Sequence, residues 1–446
     1  MKLILIRSVL VMIAFAVILS DTANVFAQEA FETLNLQQTI EAALKANLAF
    51  QRSKDDINAA KAAKNAQMTQ FLPTLSSNYS YIHRDKEQTQ EITGTSVDFV
   101  VRPRDTYTFI TSFSQPIFTG FALTNQYKIA SLGLDVAEFN KKLVRQDVIL
   151  DAKNAYFSIL KTQKLVAVAD DTVRQIASQK DVAENMYQVG MSPLNDLLQS
   201  QVQLANAKQA FITATNNLEL TKSQFNTLLR RPVNHTVVIE DILDYRPFDQ
   251  DINYCLSQAE KTRLEIQVAD LEVEISQREV KLAQGNYYPT INLTGVYNMS
   301  GTDWDVAGGE GISDEEFWEI QATATWEFWQ WGRTVYGVKE KLSRLSQAKS
   351  RKEEILDNIN LEVKQAYLKT KEAEKNITTV EKAIEQAKEN LRITEERYKE
   401  QVSTTTDVLV AQTLLTETQT NYFNALYDFK IAKAILYRAI GQEIME

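Results

Sequence analysis

From Val338 to Ile440 the chain contains neither glycine nor proline. So long a stretch without a turn residue must be built from very long regular elements. Leu356, Val363, Thr370, Ile377, Ile384, Leu391 and Tyr398 recur every seven residues, and Ile359, Ala366, Ala373, Val380, Ala387 and Thr394 form the companion series. These are the a and d positions of a left-handed coiled coil. One helix from Val338 to Tyr398 would be ~90 Å long at 1.5 Å per residue, far longer than a compact domain. A second heptad series, Val408, Leu415, Tyr422, Phe429 and Leu436, follows a break near Gln401 to Ser403, where the chain is expected to turn back. Composition agrees. The 446 residues include 13 Gly and 7 Pro, where average usage would give roughly 30 and 20.

The chain is one unit written twice. Asn47 to Thr74 aligns without a gap on Arg263 to Thr290, and Ala155 to Arg230 aligns on Ala366 to Gly441. The second alignment matches Tyr156/Tyr367, Tyr187/Tyr398, Ser192/Ser403 and Asp196/Asp407. Between these blocks QPIFTGF at 115–121 faces EFWQWGR at 327–333, with Gly120 opposite Gly332. Two copies are too few for a solenoid, so this is a duplicated structural unit. The first copy keeps the seams, through Ala152, Ile159, Val166 and Val173, then Leu197, Leu204, Phe211, Leu218 and Phe225, and turns near Gly190.

Between the helices the period changes from seven to two. Leu75, Ser77, Tyr79 and Tyr81 alternate with Ser76, Asn78 and Ser80, and Tyr107, Phe109, Thr111 and Phe113 with Thr106, Thr108, Ser112 and Ser114. The second copy alternates Ile291, Leu293, Tyr297 and Met299 with polar residues, then Trp318, Ile320, Ala322, Ala324, Trp326 and Phe328. Strands of about ten residues, with one apolar and one polar face and aromatics near the ends, have the pattern of an outer-membrane barrel. A half-buried sheet in a soluble protein would alternate too. The polar joints His83 to Arg104 and Gly301 to Glu316 suit exposed external loops. A spanning sheet cannot leave an edge in lipid, and four strands are too few to close. Several copies of the chain would have to pool their strands.

The amino terminus is basic at Lys2 and Arg7, then apolar from Val9 to Leu19, then Val25-Phe26-Ala27. This predicts a secretory signal peptide over residues 1–27. The formal charge of -10 disfavours nucleic acid as a partner. One cysteine, Cys255, and two histidines, His83 and His235, leave no metal-ligand spacing. Cys255, beside Ile252 and Leu256, reads as a buried thiol. Acidic pairs such as Glu315-Glu316 read as solvated. Neither a catalytic constellation nor a cofactor motif is present, so no enzyme is expected.

The expected fold class is an α+β membrane protein, with long coiled-coil helical hairpins and four transmembrane β-strands. The order, duplication and spacing resemble the TolC family of outer-membrane channel-tunnels over residues 33 to 441. LNLQQTIEAALKANLAF at 34–50 resembles that family's amino-terminal start, and MYQVGMSPLNDLLQSQ at 186–201 and RYKEQVSTTTDVLVAQ at 397–412 resemble its two tip motifs. The resemblance implies a homotrimer with a 12-stranded β-barrel in outer-membrane lipid and a 12-helix α-barrel across the periplasm of a Gram-negative cell. It implies a passive exit duct docked to a periplasmic adaptor and an inner-membrane pump of RND or ABC type, serving efflux or type I secretion. The segments expected are helices over 33–72, barrel strands over 74–118, a hairpin over 119–230 and an equatorial linker over 231–262. The second copy repeats them as a helix over 263–288, strands over 290–331 and a hairpin over 332–441. The other reading of the same residues is a periplasmic coiled-coil scaffold.

The informative residues lie at the hairpin tips. Ser192 is expected to cap the first returning helix with Pro193 at its first position, and Ser403 to cap the second. Asp196 and Asp407 follow, either offsetting the helix dipole or ringing a narrow mouth that favours cations. The resemblance implies that Asp407 is a constriction aspartate, that Tyr398 and Asp196 belong to the bonds closing the entrance, and that Asn195 neighbours them. It also implies that Tyr187, Gly190, Ser192 and Ser403 shape the tips gripped by an adaptor. Ser403 stands where the type member has an arginine of the lock, and Val410 where a second acidic ring would be. A looser lock and weaker cation selectivity are expected.

Overall fold

The structure, a computed structural model, describes residues 33–91, 94, 98–242, 245–312 and 316–443. The expected signal peptide and Glu315 lie outside them. The elements run α1 (Leu36–Ala46), α2 (Leu48–Thr69), β1 (Thr74–His83), β2 (Gln88–Glu91), β3 (Asp98–Arg102), β4 (Asp105–Thr119), α3 (Ala122–Gln188) and α4 (Leu194–Leu228). The second half runs α5 (Ile252–Thr262), α6 (Leu264–Gln284), β5 (Thr290–Gly301), β6 (Glu316–Thr325), α7 (Arg333–Lys399) and α8 (Thr405–Ala439). The duplication is exact in length: α3 and α7 each have 67 residues, and α4 and α8 each have 35. At 1.5 Å per residue the longer helices reach roughly 100 Å.

Most heptad positions of the second hairpin are buried, while Leu356, Val380, Ile384, Thr394 and Tyr422 are half-buried. Val363, Ala366, Thr370, Ala373, Ile377, Ala387, Leu391 and Tyr398 of α7 are buried, as are Val408, Ala411, Leu415, Phe429 and Leu436 of α8. The first hairpin behaves differently. Leu204 and Leu218 of α4 stay half-buried where their counterparts Leu415 and Phe429 are buried, and Phe211 and Tyr422 are half-buried alike. The reason is position: α8 packs on both α7 and α3, whereas α4 has α3 as its principal neighbour.

Both long helices begin from a pair of left-handed residues, Gly120 and Phe121 before α3 and Trp331 and Gly332 before α7. Phe121 immediately precedes α3 as Gly332 precedes α7, so the two glycines are offset by one residue rather than opposite each other. At the first junction two backbones touch. A Cβ on Gly285 would stand 2.6 Å from the Gly120 carbonyl oxygen.

The four long strands form one antiparallel sheet in the order β1-β4-β5-β6. Its outer strands β1 and β6 leave open edges. The register sets Ser76, Ser112, Val296 and Glu319 in one cross-strand row, so this face is mostly but not wholly polar. Leu75, Tyr79, Trp318 and Ile320 lie exposed on the opposite face. The joint between β1 and β4, expected as an exposed external loop, is not plain loop, because β2 and β3 pair there as a small hairpin. Strand β6 is shorter than its alternation predicts. It stops at Thr325, opposite Thr290, and Trp326 and Phe328 lie beyond it. The next partner would be Pro289, which has no N–H to continue the ladder. No described helix is long and apolar enough to cross a membrane.

The largest core sits where the copies meet. Leu34 N–H donates to Val238 O at 2.9 Å, and Glu240 N–H returns to Leu34 O at 3.1 Å. The buried Tyr156 hydroxyl donates to Glu240 O at 2.6 Å. Cys255 is buried, and burial pushes its thiol pKa up. Nearby, the almost fully buried Arg263 donates to Glu265 and to Glu362 of α7, and to the Ala439 carbonyl of α8 at 3.0 Å. One guanidinium thus ties three helices, and its charge is matched by carboxylates as a buried cation requires.

Candidate functional site: the hairpin tips

Each long helix ends in the same hydrogen-bond pattern. At the first tip Met191 N–H donates to Met186 O at 2.7 Å and Gly190 N–H to Tyr187 O at 3.0 Å. At the second, Val402 N–H donates to Arg397 O at 2.8 Å and Gln401 N–H to Tyr398 O at 3.0 Å. These are Schellman motifs, which need a left-handed residue after the helix. Gly190 supplies it with φ 76°, and Gln401 with φ 60° despite its Cβ.

The expected serine caps are not the caps. Pro193 is the N-cap residue of α4 rather than its first helical position, and it makes no side-chain cap. Ser192 Oγ is buried without a hydrogen-bond partner among the described residues. In the second copy the cap is Thr404. Ser403 Oγ instead donates to Thr394 O at 3.1 Å, back on α7. Serine stands one residue too early in both copies, because the Schellman turn consumes it before the new helix starts.

This displacement separates the two aspartates. Asp407 closes a capping box: its Oδ2 accepts from Thr404 N–H and from Thr404 Oγ, both at 2.8 Å. The backbone N–H first, and then the hydroxyl, hold the Asp407 carboxyl below the usual carboxylate range. Asp196 cannot do the same, since the equivalent cap is Pro193, which offers neither N–H nor hydroxyl. It reaches across instead. Thr405 Oγ1 lies 3.1 Å from Asp196 Oδ2 and 2.9 Å from Tyr398 Oη. A carboxylate only accepts, so Thr405 gives its single proton to Asp196 and the tyrosine supplies the other bond. Thr406 Oγ1 adds a bond to Gln199 Oε1 at 2.9 Å.

The structure therefore joins Tyr398 and Asp196 through a fully buried Thr405. Asp407 stays on its own helix, and Asn195 is exposed. Tyr187 and Tyr398, equivalent in sequence, differ in environment at 41% and 6% exposure. Thr405 escaped the sequence reading because nothing in Ser403-Thr404-Thr405-Thr406 marks one threonine from the next.

Elsewhere the chemistry is bland. A prominent concavity, lined by Ser343, Gln347, Ser350, Arg351 and Glu354, is an open groove along one face of α7. No group of three or more metal-ligating side chains is found among the described residues. His83 Nδ1 lies 2.6 Å from Asp105 Oδ1 at the end of the sheet away from the long helices.

Residues 39–229 and 255–442 match the outer membrane efflux protein family. The chain is 22% identical over 329 residues to outer membrane protein TolC of Escherichia coli K12, covering 72% of this chain and 66% of that one. It is also 22% identical over 417 residues to TolC of Salmonella enteritidis, covering 91% and 82%. Among solved structures, the outer membrane protein VceC of Vibrio cholerae superposes with a TM-score of 0.77 at 17% identity, over 91% of this chain and 96% of that one. The open state of the Neisseria gonorrhoeae MtrE outer membrane channel superposes at 0.74 and 18%, over 91% and 89%. These are channel proteins rather than enzymes, and the scaffold reading is set aside. The chain belongs to the outer membrane efflux protein family, a family of Gram-negative outer-membrane channels that extend into the periplasm.

Proposed function

We propose that three copies of this chain assemble into one exit duct that passively conducts exported small molecules or proteins from the periplasm to the outside. Its strands form a twelve-stranded barrel in outer-membrane lipid, four from each copy, and its long helices a twelve-helix tunnel below. The observation that carries this reading is the sheet. Both edges are open, and the face bearing Leu75, Trp318 and Ile320 is exposed. A lipid-facing sheet must satisfy its edge N–H and C=O groups, and closure with neighbouring copies does so. The half-buried seam of α4 asks for a neighbour in the same way. Exposed Trp326, Phe328, Trp329 and Trp331, below β6, suit a membrane-water boundary.

The tips form the periplasmic entrance. Asp407, with Asp196, Tyr398 and Asn195, lines its constriction, and an adaptor grips the tips around Tyr187, Gly190, Ser192 and Ser403. An inner-membrane pump of RND or ABC type supplies cargo and energy. The tips open because the adaptor binds the open arrangement better than the closed one. Two measurements test this. Unheated protein in detergent should have the mass of three chains, and a stable monomer would sink the assembly. In planar bilayers Asp407→Asn should weaken cation preference and block by divalent cations, and unchanged values would remove Asp407 from the constriction.

A further inference from the structure

Tyrosines aside, the ionisable side chains of the four long strands are His83, Asp105, Glu316 and Glu319. There is no lysine or arginine. The first three stand at strand ends and have partners: Asp105 accepts from Tyr81 Oη at 2.8 Å and faces His83, and Glu316 accepts from Tyr297 Oη at 2.5 Å. Glu319 is different. It is the fourth residue of β6, exposed, and has no hydrogen bond or ion pair with another described residue. An unpaired carboxylate inside a membrane-spanning sheet is costly unless it meets water, and such residues mark conduction paths.

The register says which side it takes. Glu319 ends the row Ser76, Ser112, Val296, and its neighbours on the same side of β6 are Phe317 and Gln321. The opposite side carries Trp318, Ile320 and Leu293. In a closed barrel the polar side faces the lumen. Three residues in from the loop end, at about 3.3 Å per residue, Glu319 lies about 10 Å inside the external mouth.

We propose that Glu319 is a charge-selecting residue of the barrel. Resting on the trimeric reading above, three copies form a carboxylate ring on an otherwise uncharged wall, where hydroxyl and amide side chains are interspersed with Ile110, Val296 and Phe317. The ring gives the membrane span its own preference for cations and its own penalty on anionic cargo. It acts independently of Asp407, which stands at the far end of helices roughly 100 Å long. Because β6 is an edge strand, the competing role is to prevent mispairing of unassembled chains. That role predicts no effect on ions in the assembled duct.

Bilayer recordings in a salt gradient separate the two. Glu319→Gln should lower the cation-to-anion permeability ratio about twofold or more, in both wild-type and Asp407→Asn backgrounds. Glu319→Cys should show the same loss, and a negatively charged methanethiosulfonate should restore the preference. Buried Cys255 gives little background to that reaction. An unchanged ratio in Glu319→Gln, or a thiol at 319 inert to charged reagents in a conducting trimer, overturns the ring. Trimers that conduct while the ratio stays unchanged sink this inference alone. A wild-type chain that forms no conducting trimer sinks the duct, and the ring with it.

Discussion

The two tips use one hydrogen-bond pattern with different residues at its left-handed position. Glycine takes that conformation freely, while a residue with a Cβ loses about 1–2 kcal/mol. Gln401→Gly should therefore slow amide exchange at the second tip, and Gly190→Ala should hasten it at the first, as read by hydrogen-exchange mass spectrometry. Shifts of the same sign at both tips would contradict the geometry. Gly285 is needed for a different reason, the nearness of the Gly120 carbonyl. Gly285→Ala must push the touching backbones away from each other, so it should cost about 1–3 kcal/mol and lower the thermal midpoint. Gly337, where an added Cβ meets open space, is the control. There Ala should be neutral or stabilising, as usual within a helix.

At the scale of elements, the Thr405 bonds hold the start of α8 against both α7 and the start of α4. Thr405→Val keeps the shape and deletes the hydroxyl, leaving Asp196 and Tyr398 without it. Losing a hydrogen bond to a charged group costs roughly 1.5–3 kcal/mol. Exchange of tip amides should rise by tenfold or more in Thr405→Val. Asp407→Asn should leave this link intact, since its partner is its own cap. Equal loosening by both variants would show that the Thr405 bridge is not what joins the helices. The ends of the strands follow the same local logic, as Pro289 stops β6 at Thr325 whatever the alternation beyond it.

Across the whole molecule, the most extensive buried apolar cluster lies at the junction of the two copies. Burial first, then the charge of Glu240, pushes the Tyr156 phenol from 10.0 up to about 12. Burial first, then Asp241, raises Tyr427 beside it. The folded protein thus keeps protons that the unfolded chain releases. The Tyr156 contribution is complete below pH 10 and is lost as pH climbs toward about 12. Thermal midpoints should fall over that window, and Tyr156→Phe should flatten the fall while lowering the neutral-pH midpoint. An unaltered alkaline slope in Tyr156→Phe would assign the effect elsewhere.

The sequence alone determined the long elements, though not the small β2–β3 hairpin. Heptads, paired alternation and duplication are periodic signals that depend on neighbours a few residues away, so α3, α7 and the four long strands were legible in it. It also marked the tips through Gly190 and the matched aspartates. Only the tertiary structure decided what those aspartates do, because the answer turns on a hydrogen-bond donor at Thr404 and its absence at Pro193. The same holds for Thr405, whose partners lie on two other helices, and for Glu319, whose side of the sheet depends on cross-strand register. A period reports which face of an element is apolar. What meets a given polar atom is settled by three-dimensional contact, since hydrogen bonds act over about 3 Å.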